Sequence, residues 1–111
     1  MYTTEAANQD YTATLESGVI VTSNVPWVVT QVEAHPDFRL SVKFIDGTAG
    51  DVVMNQRVLR ESAGVFIALA DPKVFAQVFV EDGAVTWANG LDLAPDAMYD
   101  EIKRNGVWVL R

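Results

Sequence analysis

Apolar and polar residues alternate through the middle of the chain. In the segment Phe38 to Phe44, the apolar positions are Phe38, Leu40, Val42 and Phe44, and the positions between them are Arg39, Ser41 and Lys43. A period of two is typical of a half-buried antiparallel strand. Asp46-Gly47 follows as a strong hairpin signal, because both residues tolerate positive φ. With a Val-rich run at 27–33 and a returning run at 49–54, the pattern predicts a three-stranded meander over residues 27–54.

The chain before this meander has two parts. Residues 1–10 are polar and aperiodic, which predicts a flexible N-terminus. Two β-rich runs, at 11–15 and 19–22, flank Glu16-Ser17-Gly18, and a glycine-containing connector of this length favours a hairpin.

Short helices and a second hairpin are predicted after the meander. Asn55 can cap a helical turn over 56–62, which Gly64 would end in a left-handed conformation. Residues 65–69 form an apolar connector. Asp71-Pro72 combines a cap with proline at the first helical position and predicts a turn over 72–76. The runs on either side of Asp82-Gly83 predict a hairpin at 77–88.

The last predicted helix runs from about 95 to 104. Ala94, Met98 and Ile102 recur every four residues and form an apolar stripe. Asn105-Gly106 ends the helix. The next residues, 107–110, are too apolar for a free tail, so we expect them to pack on the core or to pair as a strand.

These elements predict an α+β fold in one domain. The 111 residues and 12.2 kDa suit a single core. A mostly antiparallel sheet, with the meander at 27–54 and the hairpin at 77–88, should pack one face against the helix at 95–104. The whole chain, 1–111, is expected to form that domain.

Charge and composition narrow the classes of function. The net charge is −7 and the eight basic residues are scattered, which disfavours direct nucleic-acid binding and suits a basic protein partner. The chain has no cysteine, so thiolate chemistry and disulfides are excluded. Neither a secretory signal nor a membrane-spanning run is visible, and we expect a cytoplasmic, bacterial-type protein that does not bind membranes.

The order and spacing of many residues between 27 and 99 resemble the DUF2442 family. The residues that carry the resemblance are Asp37-Phe38-Arg39-Leu40, Phe44, Asp46-Gly47, Gly50, Val52, Gly64-Val65-Phe66, Leu69, Asp71-Pro72, Phe75, Trp87, Asn89-Gly90, Asp92-Leu93-Ala94-Pro95 and Tyr99. The chain departs from the family pattern at Ala88, where proline is common, and at Val53-Met54, where an Asp-Leu pair is common.

The resemblance implies a small α+β domain of the type found at the N-terminus of a Nitrosomonas protein. The family has no assigned biochemical function. It implies fold-defining roles for Asp46, Gly47, Trp87, Asn89, Gly90, Asp92, Pro95 and Tyr99. Some relatives carry a helix-turn-helix module or occur beside suspected toxins, which implies an adaptor or antitoxin-like role. This sequence shows no such module, so a direct transcription factor is disfavoured.

Candidate sites are few, and each has a structural alternative. His35 is the only histidine and is expected to be a solvated loop residue. Asp92, Asp96, Asp100 and Glu101 lie around the last helix and could hold a hard cation or face a basic partner.

Their structural interpretation is favoured over the cation site, because aspartates stabilise a helix N-terminus and Asp100 can pair with Arg104. Trp87 and Tyr99 are expected in the core. For Trp27 and Trp108 the sequence does not decide between the core and an aromatic binding surface. No catalytic residue, metal site or cofactor is predicted.

We therefore expect a non-catalytic interaction or adaptor domain with an unknown, basic protein partner. One alternative is an enzyme or small-ligand binder, which would need a cleft where Asp37, Asp46 or Asp92 has a perturbed pKa. A second is a component of a nucleic-acid regulatory complex without direct binding. Apolar residues at 107–110 and 19–22 also suggest a homo-oligomer.

Overall fold

The computed structural model describes residues 11–15, 17–59 and 64–111. The strands are β1 (Tyr11–Thr14), β2 (Ile20–Ser23), β3 (Val29–His35), β4 (Arg39–Phe44), β5 (Ala49–Val53), β6 (Phe79–Glu81), β7 (Ala84–Thr86) and β8 (Val107–Val109). The helices are α1 (Asn55–Leu59), a 3₁₀ helix (Gly64–Ala70), α2 (Pro72–Phe75) and α3 (Pro95–Asn105). The predicted flexible segment 1–10 lies outside the described residues, as does the end of the predicted helix 56–62.

The central sheet has four strands in the order β3-β4-β5-β8. The first three form the predicted antiparallel meander, with Ser41 of β4 opposite Glu33 on one side and Asp51 on the other. β8 pairs with β5 in parallel, with Val52 opposite Trp108. The prediction that 107–110 pack on the core or pair as a strand is thus confirmed by a strand at 107–109.

Two hairpins lie outside this sheet. Both were predicted as hairpins, but the one at 77–88 was expected to belong to the main sheet and instead forms a separate two-stranded sheet. β1 pairs antiparallel with β2, and β6 pairs antiparallel with β7. The β6–β7 turn has Asp82 at φ 52° and Gly83 at φ 77°. Two successive positive φ values are the requirement of a type I′ turn, which matches the right-handed twist of the strands that it joins.

The short helices differ in detail from the predictions. α1 begins at Asn55 rather than after it, because Val58 N–H donates to Met54 O at 2.9 Å and starts the helix one residue earlier. The predicted apolar connector 65–69 lies within the 3₁₀ helix. α2 begins as predicted: Asp71 Oδ1 accepts the Lys73 N–H at 2.9 Å, and Pro72 occupies the first turn.

α3 covers the central sheet. Met98 and Ile102 are buried, but Ala94 is exposed at the helix cap, so the apolar stripe is one residue shorter than predicted. Gly106 ends the helix in the left-handed region at φ 77° and donates its N–H to Ile102 O. None of the described helices has the length and apolar character that crossing a bilayer requires.

The core lies between the sheet and the helices. Its largest fully buried side chains include Trp87, Phe44, Phe75, Leu40 and Met98. Since apolar burial contributes about 25 cal/mol per Å² and each buried aromatic residue covers on the order of 150–250 Å², the aromatic residues supply much of the stabilisation. The opposite face of the sheet carries the polar residues of the alternating pattern.

Candidate functional site

A groove runs along the first half of α3, and its walls combine carboxylates with aromatic rings. We call it the acidic groove. Its volume is about 460 Å³, and its lining residues are Pro26, Trp27, Asp96, Ala97, Tyr99 and Asp100. Pro26 and Trp27 come from the segment just before β3, and the others come from α3. The groove is therefore formed by residues about 70 positions apart in the sequence.

Helical geometry places the two carboxylates of the groove on one side of α3. Asp96 and Asp100 are four residues apart, so they neighbour each other along one face. Asp96 Oδ1 accepts the Ala97 N–H at 2.9 Å, and Asp100 Oδ2 accepts from Arg104 Nη2 at 2.9 Å. Asp96 and Asp100 are both exposed. Asp96 makes no ion pair within the described part of the chain, whereas Asp100 is paired with Arg104 and a partner would compete with that exposed pair.

Two aromatic residues complete the groove. The Trp27 side chain is 38% exposed, so part of its ring faces solvent. Tyr99 is half-buried, and its ring packs edge-on against Phe44 with the centroids 5.1 Å apart. Trp27 is thus a partly exposed aromatic residue in the same groove as the two carboxylates, whereas Tyr99 joins the groove to the core.

Asp46 holds Tyr99 in place from the β4–β5 turn. The Tyr99 hydroxyl donates to Asp46 Oδ2 at 2.6 Å, and the Thr48 N–H donates to Asp46 Oδ1 at 2.9 Å. Partial burial alone would raise the pKa of Asp46, but the hydrogen bonds from Tyr99 and Thr48 outweigh it and lower that pKa. Burial and the hydrogen bond to Asp46 raise the pKa of Tyr99. The pair therefore ties the turn to α3.

The chemistry of the acidic groove suits a cation. A guanidinium or ammonium group can approach two carboxylates and lie over the face of a tryptophan, the aromatic ring that attracts cations most strongly. Each exposed ion pair contributes only about 0.2–1 kcal/mol. Affinity would therefore depend on several such contacts made together.

Of the four predicted partner-facing residues, two lie in the acidic groove. Asp96 and Asp100 line it, whereas Asp92 and Glu101 do not. Asp92 makes an isolated antiparallel bridge with Thr86, and Glu101 Oε1 accepts from Asn105 Nδ2 at 3.3 Å. Sequence reasoning left Trp27 open and missed Pro26, because a groove between distant segments has no sequence motif.

The predicted fold-defining residues described next lie in turns, at the first position of α3 and in the core. Trp87 is buried and its Nε1–H donates to Phe75 O at 3.0 Å. Asn89 Oδ1 accepts the Leu91 N–H at 3.0 Å, and Gly90 has φ 91°. Gly47, at φ 92°, lies in the turn with Asp46, and Pro95 is the first residue of α3.

A second group of polar side chains lies on the open face of the central sheet and was missed from the sequence. His35 Nε2 lies 2.8 Å from Ser41 Oγ, and Ser41 Oγ lies 3.2 Å from Asp51 Oδ1. Arg39 Nη1 donates to Asp51 Oδ2 at 3.0 Å. His35 is therefore the half-buried last residue of β3, and the prediction of a solvated loop residue was wrong. The period-two pattern indicated the face, but only the strand register brings these residues together.

This group does not have the geometry of a serine nucleophile. In acyl-transfer triads the carboxylate orients the histidine, which in turn contacts the serine. Here Asp51 contacts Ser41 and Arg39 instead. Within 11–15, 17–59 and 64–111, moreover, no cluster of three or more His, Cys, Asp or Glu side chains could hold a metal ion. The acidic groove is therefore the better candidate site.

The structure is thus a small α+β domain with an acidic groove beside its last helix. The sequence model of DUF2442, described as a protein of unknown function, matches residues 29–104. Because that match covers most of the chain, the protein belongs to the DUF2442 family. No curated protein and no solved structure matches the chain significantly.

Proposed function

We propose that this domain is a non-catalytic protein-interaction module whose acidic groove receives a basic segment of a partner protein. The observation that carries this proposal is the placement of Trp27, Asp96 and Asp100 around one groove of about 460 Å³. An arginine or lysine side chain is the protein group that satisfies both the carboxylates and the ring.

The net charge supports the same kind of partner. The net charge of −7 on the whole chain attracts a basic protein from a longer distance than the charges of the groove alone do. The two effects differ in kind: net charge raises the rate of encounter, and the groove determines where the partner binds. An adaptor in the cytoplasm, or an antitoxin-like domain that neutralises a basic toxin, is the form of this role that the family resemblance implies.

Two double variants with equal charge separate the groove from the net charge. The groove variant is Asp96→Asn with Asp100→Asn, and the matched control is Asp82→Asn with Asp92→Asn, both outside the groove. A short acetylated and amidated Arg-Lys-Arg peptide is titrated against each protein while tryptophan fluorescence is recorded. We expect the groove variant to weaken binding by about tenfold and the control by less than about twofold.

The partner itself is then sought by affinity capture from the native host with the same two variants. We expect a basic protein that the wild type and the control retain and that the groove variant loses. Equal losses with both double variants would show that net charge alone drives binding. Capture that disappears on nuclease treatment would contradict a direct protein contact and favour a nucleic-acid complex.

A further inference from the structure

A second concave site, separate from the acidic groove, lies where the β3–β4 turn meets α2. We call it the apolar groove. Its volume is about 330 Å³, and its walls include Pro36, Phe38, Pro72 and Phe75, with His35 and Lys73 as polar lining residues. A volume of roughly 300–1,000 Å³ with apolar walls and few polar groups is typical of small-molecule sites.

The aromatic wall of the apolar groove is firmly held. Phe38 and Phe75 pack edge to face, with ring centroids 5.3 Å apart and planes inclined by 74°. Phe75 is buried and its ring also lies 6.0 Å from that of Trp87. The wall is therefore part of the core packing, and a ligand would meet a surface that is already formed.

Phe38 also has a strained backbone. Its φ is 58°, in the left-handed region that bulky residues rarely adopt. The three-residue loop Pro36-Asp37-Phe38 joins β3 to β4, and such loops place their last residue in this region, where glycine is usual. The backbone strain at Phe38 is on the order of 1–2 kcal/mol. The same residue supplies a ring that lines the apolar groove.

Lys73 gives the apolar groove one positively charged side chain. Lys73 lines it, is exposed and makes no ion pair with any residue that the structure describes. The carboxylates nearest in sequence, Asp37 and Asp71, are not among the lining residues. Asp71 Oδ1 accepts the Lys73 backbone N–H at 2.9 Å, so this carboxylate is close to Lys73 but is already hydrogen-bonded as the cap of α2. The net charge of −7 opposes an anion only weakly here, because exposed charges are largely screened beyond a Debye length of about 8 Å at physiological salt.

We infer that the apolar groove binds a small carboxylic acid with an aromatic or aliphatic body, whose carboxylate pairs with Lys73 and whose body lies against Phe38 and Phe75. Binding there is independent of the basic segment proposed for the acidic groove. The two sites are tested with different probes.

The test uses ¹⁵N-labelled full-length protein titrated with 3-phenylpropanoate and with the neutral isostere 3-phenylpropanamide. For ligands of this size we expect a dissociation constant on the order of 1 mM for the acid, with saturable shifts at the Phe38 and Phe75 amides. The amide should bind roughly threefold more weakly, the effect of losing one partly exposed ion pair.

Three variants locate the site. Lys73→Gln should abolish the preference for the acid over the amide, whereas the control Lys43→Gln, at another exposed lysine, should preserve it. Ala76→Phe places a ring in the groove and should abolish binding of both probes. Ala76 is exposed, and unchanged amide spectra away from the groove would show that the variant is folded. The inference is overturned if the shifts do not saturate by about 10 mM, or if Lys73→Gln retains the preference.

Discussion

At the scale of single residues, contacts with other parts of the fold explain an unusual backbone angle at one position and a shifted pKa at another. Phe38 keeps a left-handed backbone because its ring packs against Phe75. Asp46 keeps a lowered pKa because Tyr99 and Thr48 donate hydrogen bonds to it. In each case a residue of a turn is stabilised by a residue far along the chain.

Glycine should be tolerated better than alanine at Phe38. Both substitutions remove the ring, and large-to-small changes of this kind cost roughly 2–5 kcal/mol. Alanine retains the left-handed strain and glycine relieves it, so Phe38→Gly should be about 1 kcal/mol more stable than Phe38→Ala. Urea denaturation measures both. The matched pair Leu40→Gly and Leu40→Ala, in the following strand, should show the opposite order, and an alanine preference at both positions would contradict the strain at Phe38.

Tyr99→Phe should destabilise the protein at neutral pH. The ring is retained and one hydrogen bond to a half-buried carboxylate is lost, at a cost of roughly 1 kcal/mol after solvent screening. Because the folded-state pKa of Asp46 lies below its ordinary value of 3.8, this stabilisation is present above that value and is lost as pH falls through the lower folded pKa.

The pH dependence of the difference checks that assignment. Denaturation of wild type and Tyr99→Phe from pH 7 down to about pH 2 should show the two stabilities converging below about pH 4. The folded state raises the pKa of Tyr99. The wild type should therefore also lose its extra stability over Tyr99→Phe at alkaline pH, as the pH rises through that raised pKa. If the difference in stability between wild type and Tyr99→Phe stayed constant into the acidic range, it would contradict the assignment of the charged Asp46 carboxylate as the acceptor. Tyr11→Phe is the control for the acidic limb only, because Tyr11 itself contributes to the raised pKa of Tyr99.

At the scale of elements, the approach of α3 to β5 depends on one small residue. A Cβ atom on Gly50 would lie 2.6 Å from Ile102 Cγ2 and 2.7 Å from Gly106 O. The second of these is a backbone atom at the helix end, which cannot move as a side chain can. Gly50 thus sets the distance between the helix and the sheet, and with it the position of the acidic groove.

Gly50→Ala should therefore destabilise the fold by about 1–3 kcal/mol, the usual cost of overpacking a core. In the adjacent turn, a Cβ atom added at Gly47 would meet no atom within 4 Å. Gly47→Ala should therefore destabilise the protein only through the backbone strain of alanine at a φ of 92°. Thermal denaturation of both variants compares the two costs. A Gly50→Ala protein as stable as wild type would show that α3 can move away from the sheet at little cost.

At the scale of the whole molecule, the central sheet ends in two edge strands. Among the described residues, no strand pairs with the outer edge of β3 or of β8. Unpaired edges can pair with another chain. In β8, Val107 and Val109 alternate with Trp108, which packs against the core, and all three are half-buried. The 19–22 segment instead presents Val19 and Ile20, which are 55% and 67% exposed.

We expect self-association through β8 rather than through the 19–22 segment. Both β8 and β2 have one unpaired edge among the described residues, but β8 belongs to the four-stranded central sheet and β2 to a two-stranded hairpin. Pairing of two β8 strands would therefore join two central sheets into one larger sheet, which is more stable than two joined hairpins. Light scattering across micromolar concentrations should show a dimer that Val109→Lys weakens and that the matched Ile20→Lys leaves unchanged. A strict monomer, or the reverse order of the two variants, would contradict this expectation.

Most of the secondary structure followed from local patterns, because those patterns have local physical causes. Alternation of polar and apolar residues predicted β4, Asp46-Gly47 predicted the next turn, and Asp71-Pro72 predicted the start of α2. The 3₁₀ helix could not be predicted in the same way. A short apolar run has no distinguishing period, so its conformation is chosen by packing.

The sequence by itself determined the class of the fold, its turns and the acidic character of α3, since these depend on residues close together in the chain. Tertiary structure decided which residues meet. It placed Trp27 beside Asp96 and Asp100, His35 beside Ser41, and Phe38 beside Phe75. Such contacts depend on strand register and on how closely a helix packs, and both are properties of the assembled core rather than of any segment.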